Sequence, residues 1–152
     1  MRNTILMIAL CSIGTQLTAQ KIDTKEVPPA VKAGLTKSMN VKDAKWDKED
    51  NNYEANFKKD GKEMSAVFDA SGALLETEVE ITKAELPTAA QALLKKEYAD
   101  FKLEEVAKTT AKDKVTYEAE VEKGKQTWEL IFDAKGNLLK KEQEKEEGDD
   151  KD

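Results

Sequence analysis

Carboxylates are the residues of this chain best suited to chemistry. Glu118, Glu120 and Glu122 alternate along one stretch, and Glu129 follows closely. Two carboxylates act as general acid and base when their surroundings push their pKa values apart. Grouped carboxylates also hold Ca²⁺, a hard cation that takes oxygen ligands. An alternating stretch implies a flat strand face, which offers no pocket to separate pKa values. Asp69-Ala70-Ser71-Gly72 lacks the alternating ligands of a calcium loop. The expectation is a solvated strand face, with no catalytic residue, no metal ligand and no cofactor.

Missing residue types narrow the chemistry further. Arg2 followed by an apolar run from Ile5 to Ile13, and then Leu17-Thr18-Ala19, reads as an export leader cleaved between Ala19 and Gln20. The run is shorter than the roughly 20 apolar residues that span a bilayer. Lipidation at Cys11 is the alternative, but Leu10 stands where a small residue is wanted. Cleavage would remove the only cysteine and the only arginine, and the chain has no histidine. The remaining chain would carry no thiol nucleophile, imidazole base or soft metal site. It would also lack a guanidinium fork for phosphate and any disulfide. Net charge is −6. An acidic chain without arginine is a poor match for nucleic acid or for anionic lipid.

A second set of candidates is apolar. Val67 and Ile131 share strand parity with Ser65, Asp69, Glu129 and Asp133, so each is a branched apolar residue on an otherwise polar face. Leu74 and Leu138 are assigned the same parity. One reading is ordinary strand preference, since β-branched residues fit a pleated surface. The other is an apolar strip rimmed by polar groups, as at partner sites. On that reading the partner-binding residues are Val67, Ile131, Ser65, Glu129, Leu74 and Leu138.

The elements that position these residues occur twice. Val27-Pro28-Pro29-Ala30-Val31 is answered by Leu86-Pro87-Thr88-Ala89-Ala90, and Tyr53-Glu54-Ala55 by Tyr117-Glu118-Ala119. Phe68-Asp69-Ala70-Ser71-Gly72-Ala73-Leu74-Leu75 is answered by Phe132-Asp133-Ala134-Lys135-Gly136-Asn137-Leu138-Leu139. Each copy opens on a helix with prolines at its start, where a missing N–H is no loss. Val27, Val31, Leu35 and Met39 line one face of the first; Ala90, Leu94 and Tyr98 line the second. Four strands follow each helix, alternating as an antiparallel sheet covered on one side does. Trp128, Leu130 and Phe132 are expected to face inward. Lys59-Asp60-Gly61-Lys62 predicts a tight hairpin. The expected fold is therefore α+β: two tandem α-β-β-β-β repeats forming one antiparallel sheet, with helices packed on one face. The expected boundaries are a leader over 1–19, repeats over 20–81 and 82–143, and an acidic disordered tail over 144–152. Each repeat is marginal in size alone, so a shared core is expected.

Over residues 27–143 this plan resembles the PepSY-like, β-lactamase-inhibitor-like family of Gram-negative envelope proteins. The resemblance rests on the two proline-bearing helix starts and the two Phe-Asp-Ala-x-Gly-x-Leu-Leu hairpins. It implies a continuous sheet with a free face that can bind another protein. Secreted β-lactamase inhibitors clasp an enzyme with a similar sheet, but they carry disulfides that this chain cannot form. The resemblance therefore implies a non-catalytic, periplasmic or secreted binding module whose partner is another exported or envelope protein. The competing expectation is an acidic cation-binding or envelope-stress-buffering protein with no protein partner.

Overall fold

The computed structural model describes residues 20–143. The leader, Cys11 and the acidic tail lie outside that range. In chain order the elements are β1 Gln20–Ile22, α1 Pro29–Met39, β2 Lys45–Glu49, β3 Asn52–Lys59, β4 Lys62–Asp69 and β5 Leu74–Glu80. A 3-10 turn at Lys83–Glu85 leads to α2 Thr88–Glu97, β6 Lys102–Ala111, β7 Lys114–Lys123, β8 Gln126–Asp133 and β9 Leu138–Gln143. The nine strands form a single antiparallel sheet in sequence order. Each helix is thus followed by four strands, as the repeat predicts. Strand β1 is an addition: the sequence reading contains no strand before α1, yet Gln20–Ile22 pairs with Asp47 and its neighbours on β2.

Both helices begin at proline without a side-chain cap. The carbonyl of Pro28 accepts hydrogen bonds from the backbone N–H of Val31 and Lys32, and that of Pro87 from Gln91. Apolar residues one turn apart point to the sheet. Val31 and Leu35 of α1 are buried, as are Ala90 and Leu94 of α2. The chain leaves α1 through Asn40 in the left-handed conformation, a common helix ending. Asp60 and Gly61 both have positive φ at the β3–β4 hairpin, as a type I′ turn requires.

The repeated Phe-Asp-Ala-x-Gly hairpin has a structural explanation. Asp69 Oδ1 accepts hydrogen bonds from the backbone N–H of Ser71 and Ala73, at 2.9 and 3.0 Å, and from the Ser71 hydroxyl at 2.6 Å. Asp133 Oδ1 does the same for Lys135 and Asn137. Gly72, with φ of 83°, presses its backbone against α1: a methyl group there would meet the Ala30 carbonyl, and one on Gly34 would meet the Gly72 carbonyl. Gly34 is therefore a contact residue and not merely a weak point of the helix. In the second repeat Gly136 takes that role against Ala90 and Pro87.

The helix-facing side of the sheet holds two separate clusters. One joins Val27, Val31, Leu35, Trp46, Ala55, Phe57, Ala66 and Phe68. The other joins Leu86, Ala90, Leu94, Tyr98, Val106, Ala119, Val121, Leu130 and Phe132. The expectation of one shared core is corrected: each helix covers its own half. The halves are joined by the β5–β6 ladder, Glu76↔Ala111 to Glu80↔Ala107, and by Ile81, which packs on the second cluster. Trp128 faces inward as expected and packs on the second cluster, but less deeply than Leu130 and Phe132. It is only partly buried, with the Lys141 ammonium 4.1 Å above its ring.

Candidate functional site

The face of the sheet turned away from the helices is the candidate site. Its composition follows from strand parity, and the register aligns its central residues in four rows. The first runs Asp47–Glu54–Val67–Glu76–Ala111–Lys114. The second runs Lys45–Asn56–Ser65–Glu78–Thr109–Thr116–Asp133. The third is Glu80–Ala107–Glu118–Ile131–Lys140, and the fourth is Glu105–Glu120–Glu129–Glu142. Carboxylates stand directly opposite carboxylates in the fourth row, an arrangement that destabilises a sheet when both are charged.

Val67 and Ile131 both lie on this face, flanked by Glu54 and Glu76 and by Glu118 and Lys140, respectively. Ser65 and Glu129 lie on it too. Leu74 and Leu138 do not continue the strip. Bulges after Val67 and Ile131 leave Leu74 opposite Phe68 and Leu138 opposite Phe132, both core residues. The two leucines remain 40 % and 38 % exposed near the hairpin ends. Parity counting missed this because a bulge inserts one residue and resets the alternation.

The expected solvated strand face is not what the structure shows. Glu118 is 5 % exposed and Glu54 is 9 % exposed. These two glutamates are equivalent in the repeats, and each stands beside the equivalent branched residue, Val67 or Ile131. Ser65 and Thr109 are also buried, and Asn56 is nearly as covered as Glu54. Four buried side-chain atoms have no hydrogen-bond partner among the described residues: Glu54 Oε2, Asn56 Oδ1, Thr109 Oγ1 and Glu118 Oε2. All four can accept a hydrogen bond, and all lie on this face.

Burial disfavours a charged carboxylate, and neighbouring carboxylates add to the effect. Glu118 is pushed well up, first by burial, then by the charges of Glu129 and Glu78 and a hydrogen bond shared with Glu129. Glu78 is pushed up to about 8 by burial and then by Glu105, Glu54, Glu76 and Glu129. Burial also raises Glu54, Glu76 and Glu105. For Glu54, hydrogen bonding with Ser65 works the other way. The centre of the face is thus a patch of carboxyl groups, some held neutral near pH 7. Around Ala107, whose small side chain makes a dip, Glu78, Glu105, Glu118 and Glu120 crowd together. Among the described residues no group of three or more carboxylates is placed to hold a metal ion. Periodicity assigns Glu54, Glu78 and Glu118 to this face, but nothing in it signals their burial.

The nine-strand sheet with two helices on one face now permits comparison with known proteins. The family described as "putative beta-lactamase-inhibitor-like, PepSY-like" matches residues 15–76 and 51–140. The chain belongs to this family. Two overlapping matches along one chain agree with a duplicated unit. Solved structures share the fold. A Bacteroides fragilis BLIP-like protein is 27 % identical with a TM-score of 0.66, over 82 % of this chain and 92 % of that one. A protein from Bacteroides eggerthii, described as among "putative periplasmic proteins", is 20 % identical with a TM-score of 0.72, over 77 % and 88 % of the two chains. A DUF2874 family protein from Bacteroides ovatus is 21 % identical with a TM-score of 0.68, over 78 % and 89 %. No curated protein matches the chain. Among the described residues, no helix is long and apolar enough to cross a membrane.

Proposed function

We propose that this PepSY-like protein is a non-catalytic, exported binding module that uses the open face of its sheet to engage another envelope protein, inhibiting or sensing it. One observation carries the reading. An entire sheet face lies opposite the helices and presents a branched apolar residue, Val67 or Ile131, at the equivalent position of each repeat. Apolar residues set among polar ones are how a partner surface is built. The family description, inhibitor-like, and the periplasmic description of a similar structure support the same class. Cleavage near Ala19-Gln20 would deliver the chain to the periplasm or beyond.

The reading is tested by cross-linking in the native cell envelope. Replacing Val67 and Ile131 with Thr keeps the branched shape and the strand preference. Burying each side chain at an interface is worth about 1.5–3 kcal/mol, so the double variant should stay folded and lose at least about tenfold in partner affinity. A folded double variant that captures the same partner with full affinity would place the site elsewhere.

A further inference from the structure

We propose that the open face docks a protein segment carrying lysine or arginine side chains, one at the Glu54–Val67 pair and one at the Glu118–Ile131 pair. This deepens the binding-module reading and rests on it. Each repeat supplies the same two-residue cradle in register: a glutamate directly opposite a branched aliphatic residue on the next strand. In both copies the glutamate is more than nine-tenths buried, and in both its Oε2 has no hydrogen-bond partner among the described residues. A buried carboxyl oxygen without a hydrogen-bond partner is costly, so neither copy is explained by folding alone. Lysine and arginine match such a cradle. Their aliphatic stems lie on an apolar side chain while the charged head reaches the carboxyl group as the side chains covering it part.

Charge complementarity selects the same partner. Of the remaining unpartnered atoms on the face, Asn56 Oδ1 also calls for a donor, and the Thr109 hydroxyl can accept one. The cations that register places on this face sit on outer strands or at strand ends: Lys45 on β2 opposite Asn56, Lys58 near one end of β3 and paired with Glu63, Lys102 and Lys114 at the starts of β6 and β7, and Lys140 on β9 paired with Glu142. The charged groups facing Glu118 are Glu105 from β6, Glu78 from β5, Glu129 from β8 and, one strand further, Lys140 from β9. Those facing Glu54 are Asp47, Glu49 and Lys45 from β2 and Glu76 from β5. The partner is a segment and not a small free cation because the two cradles lie four strands apart, about 19 Å across the sheet. The carboxyl groups also close over the dip at Ala107, leaving an open surface and no pocket. A cation arriving at Glu118 replaces a proton, so docking at neutral pH releases protons.

Calorimetric titration of the full chain with an octalysine peptide tests this, at pH 7 and low salt, in two buffers of different ionisation enthalpy. The expected result is binding with net proton release. Glu54→Gln combined with Glu118→Gln should weaken binding at least tenfold and abolish the proton release, with thermal unfolding checking that the variant is folded. A charge-matched pair outside the sheet, Asp43→Asn with Glu97→Gln, should bind within twofold of the parent. No octalysine binding, equal losses in the two double variants, or retained proton release in the Gln pair would each overturn the proposal. Spermine or Ca²⁺ binding as tightly as octalysine would overturn it in favour of a free-cation site. A partner captured through Val67 and Ile131 without any octalysine binding would leave the binding module standing and remove only its cationic partner.

Discussion

Glu78 and Glu118 bind protons more tightly in the folded chain than in the unfolded one, because burial and neighbouring carboxylates oppose their charge. The linkage follows from that sign. Between the ordinary carboxylate value of 4.5 and about 8 for Glu78, the folded state holds more protons, so stability falls as pH rises through this window. At the acid end the sign reverses. Asp69 and Asp133 are lowered by their side-chain bonds to Ser71 and Asn137, and Glu85 is lowered to about 2 by the Thr82 backbone N–H and by Lys62. Stability from these groups is lost as pH falls through their folded values. Stability should therefore peak near pH 4–5. Melting curves should show Tm lower at pH 8 than at pH 5 by on the order of 5 °C, about what 1 kcal/mol is worth in a domain of this size. Glu78→Gln with Glu118→Gln should flatten that decline; an unchanged slope would show that the carboxyl groups ionise freely in the folded state. The two tryptophans give a second test at this scale. Trp46 is 3 % exposed, so Trp46→Ala should lose about 3–5 kcal/mol in a denaturant titration. Trp128 is partly exposed and should lose clearly less.

At the scale of elements, the helix and the β4–β5 hairpin are held by a backbone contact. Gly34 lies under the Gly72 carbonyl, and Gly72 lies under Ala30. In an exposed helix, Gly to Ala would gain roughly 1 kcal/mol from helix propensity. Here the methyl group has no room, and overpacking reverses the sign. Gly34→Ala should destabilise by about 1–3 kcal/mol, read from the shift of the urea midpoint. A stabilised variant would show that helix and hairpin can move apart. The second repeat keeps the hairpin glycine, with Gly136 against Ala90 and Pro87, but carries Leu93, partly buried, at the matching helix position. The two copies therefore share the hairpin side of this contact and differ on the helix side.

At the scale of the molecule, two clusters share one sheet. Each half is too small to be comfortably stable alone, and either half in isolation would expose a long strand edge at β5 or β6. Trp46 contributes to the first cluster and Trp128 packs on the second, so fluorescence separates their behaviour. Trp46→Phe and Trp128→Phe each leave one reporter. Both variants, corrected for their own stability, should give denaturation midpoints that coincide with loss of circular dichroism. Well-separated midpoints would mean that the β5–β6 ladder does not couple the halves.

Local chemistry determined most of the architecture. Proline at the helix starts, apolar residues one turn apart, period-two alternation and glycine at the turns act over a few residues, so two helices, the strands of each repeat and one covered face were legible in the chain. The same alternation placed Val67, Ile131, Ser65 and Glu129 on the open face. Long-range pairing decided the rest. The bulges that set Leu74 and Leu138 opposite Phe68 and Phe132 appear only when strands are laid side by side. The added strand β1 depends on an available β2 edge, and the division into two cores depends on where each helix lands. Burial of Glu54 and Glu118 is tertiary in the same sense. A glutamate on an alternating strand reads as solvated until neighbouring strands bring side chains over it, and desolvation depends on those neighbours rather than on the glutamate itself.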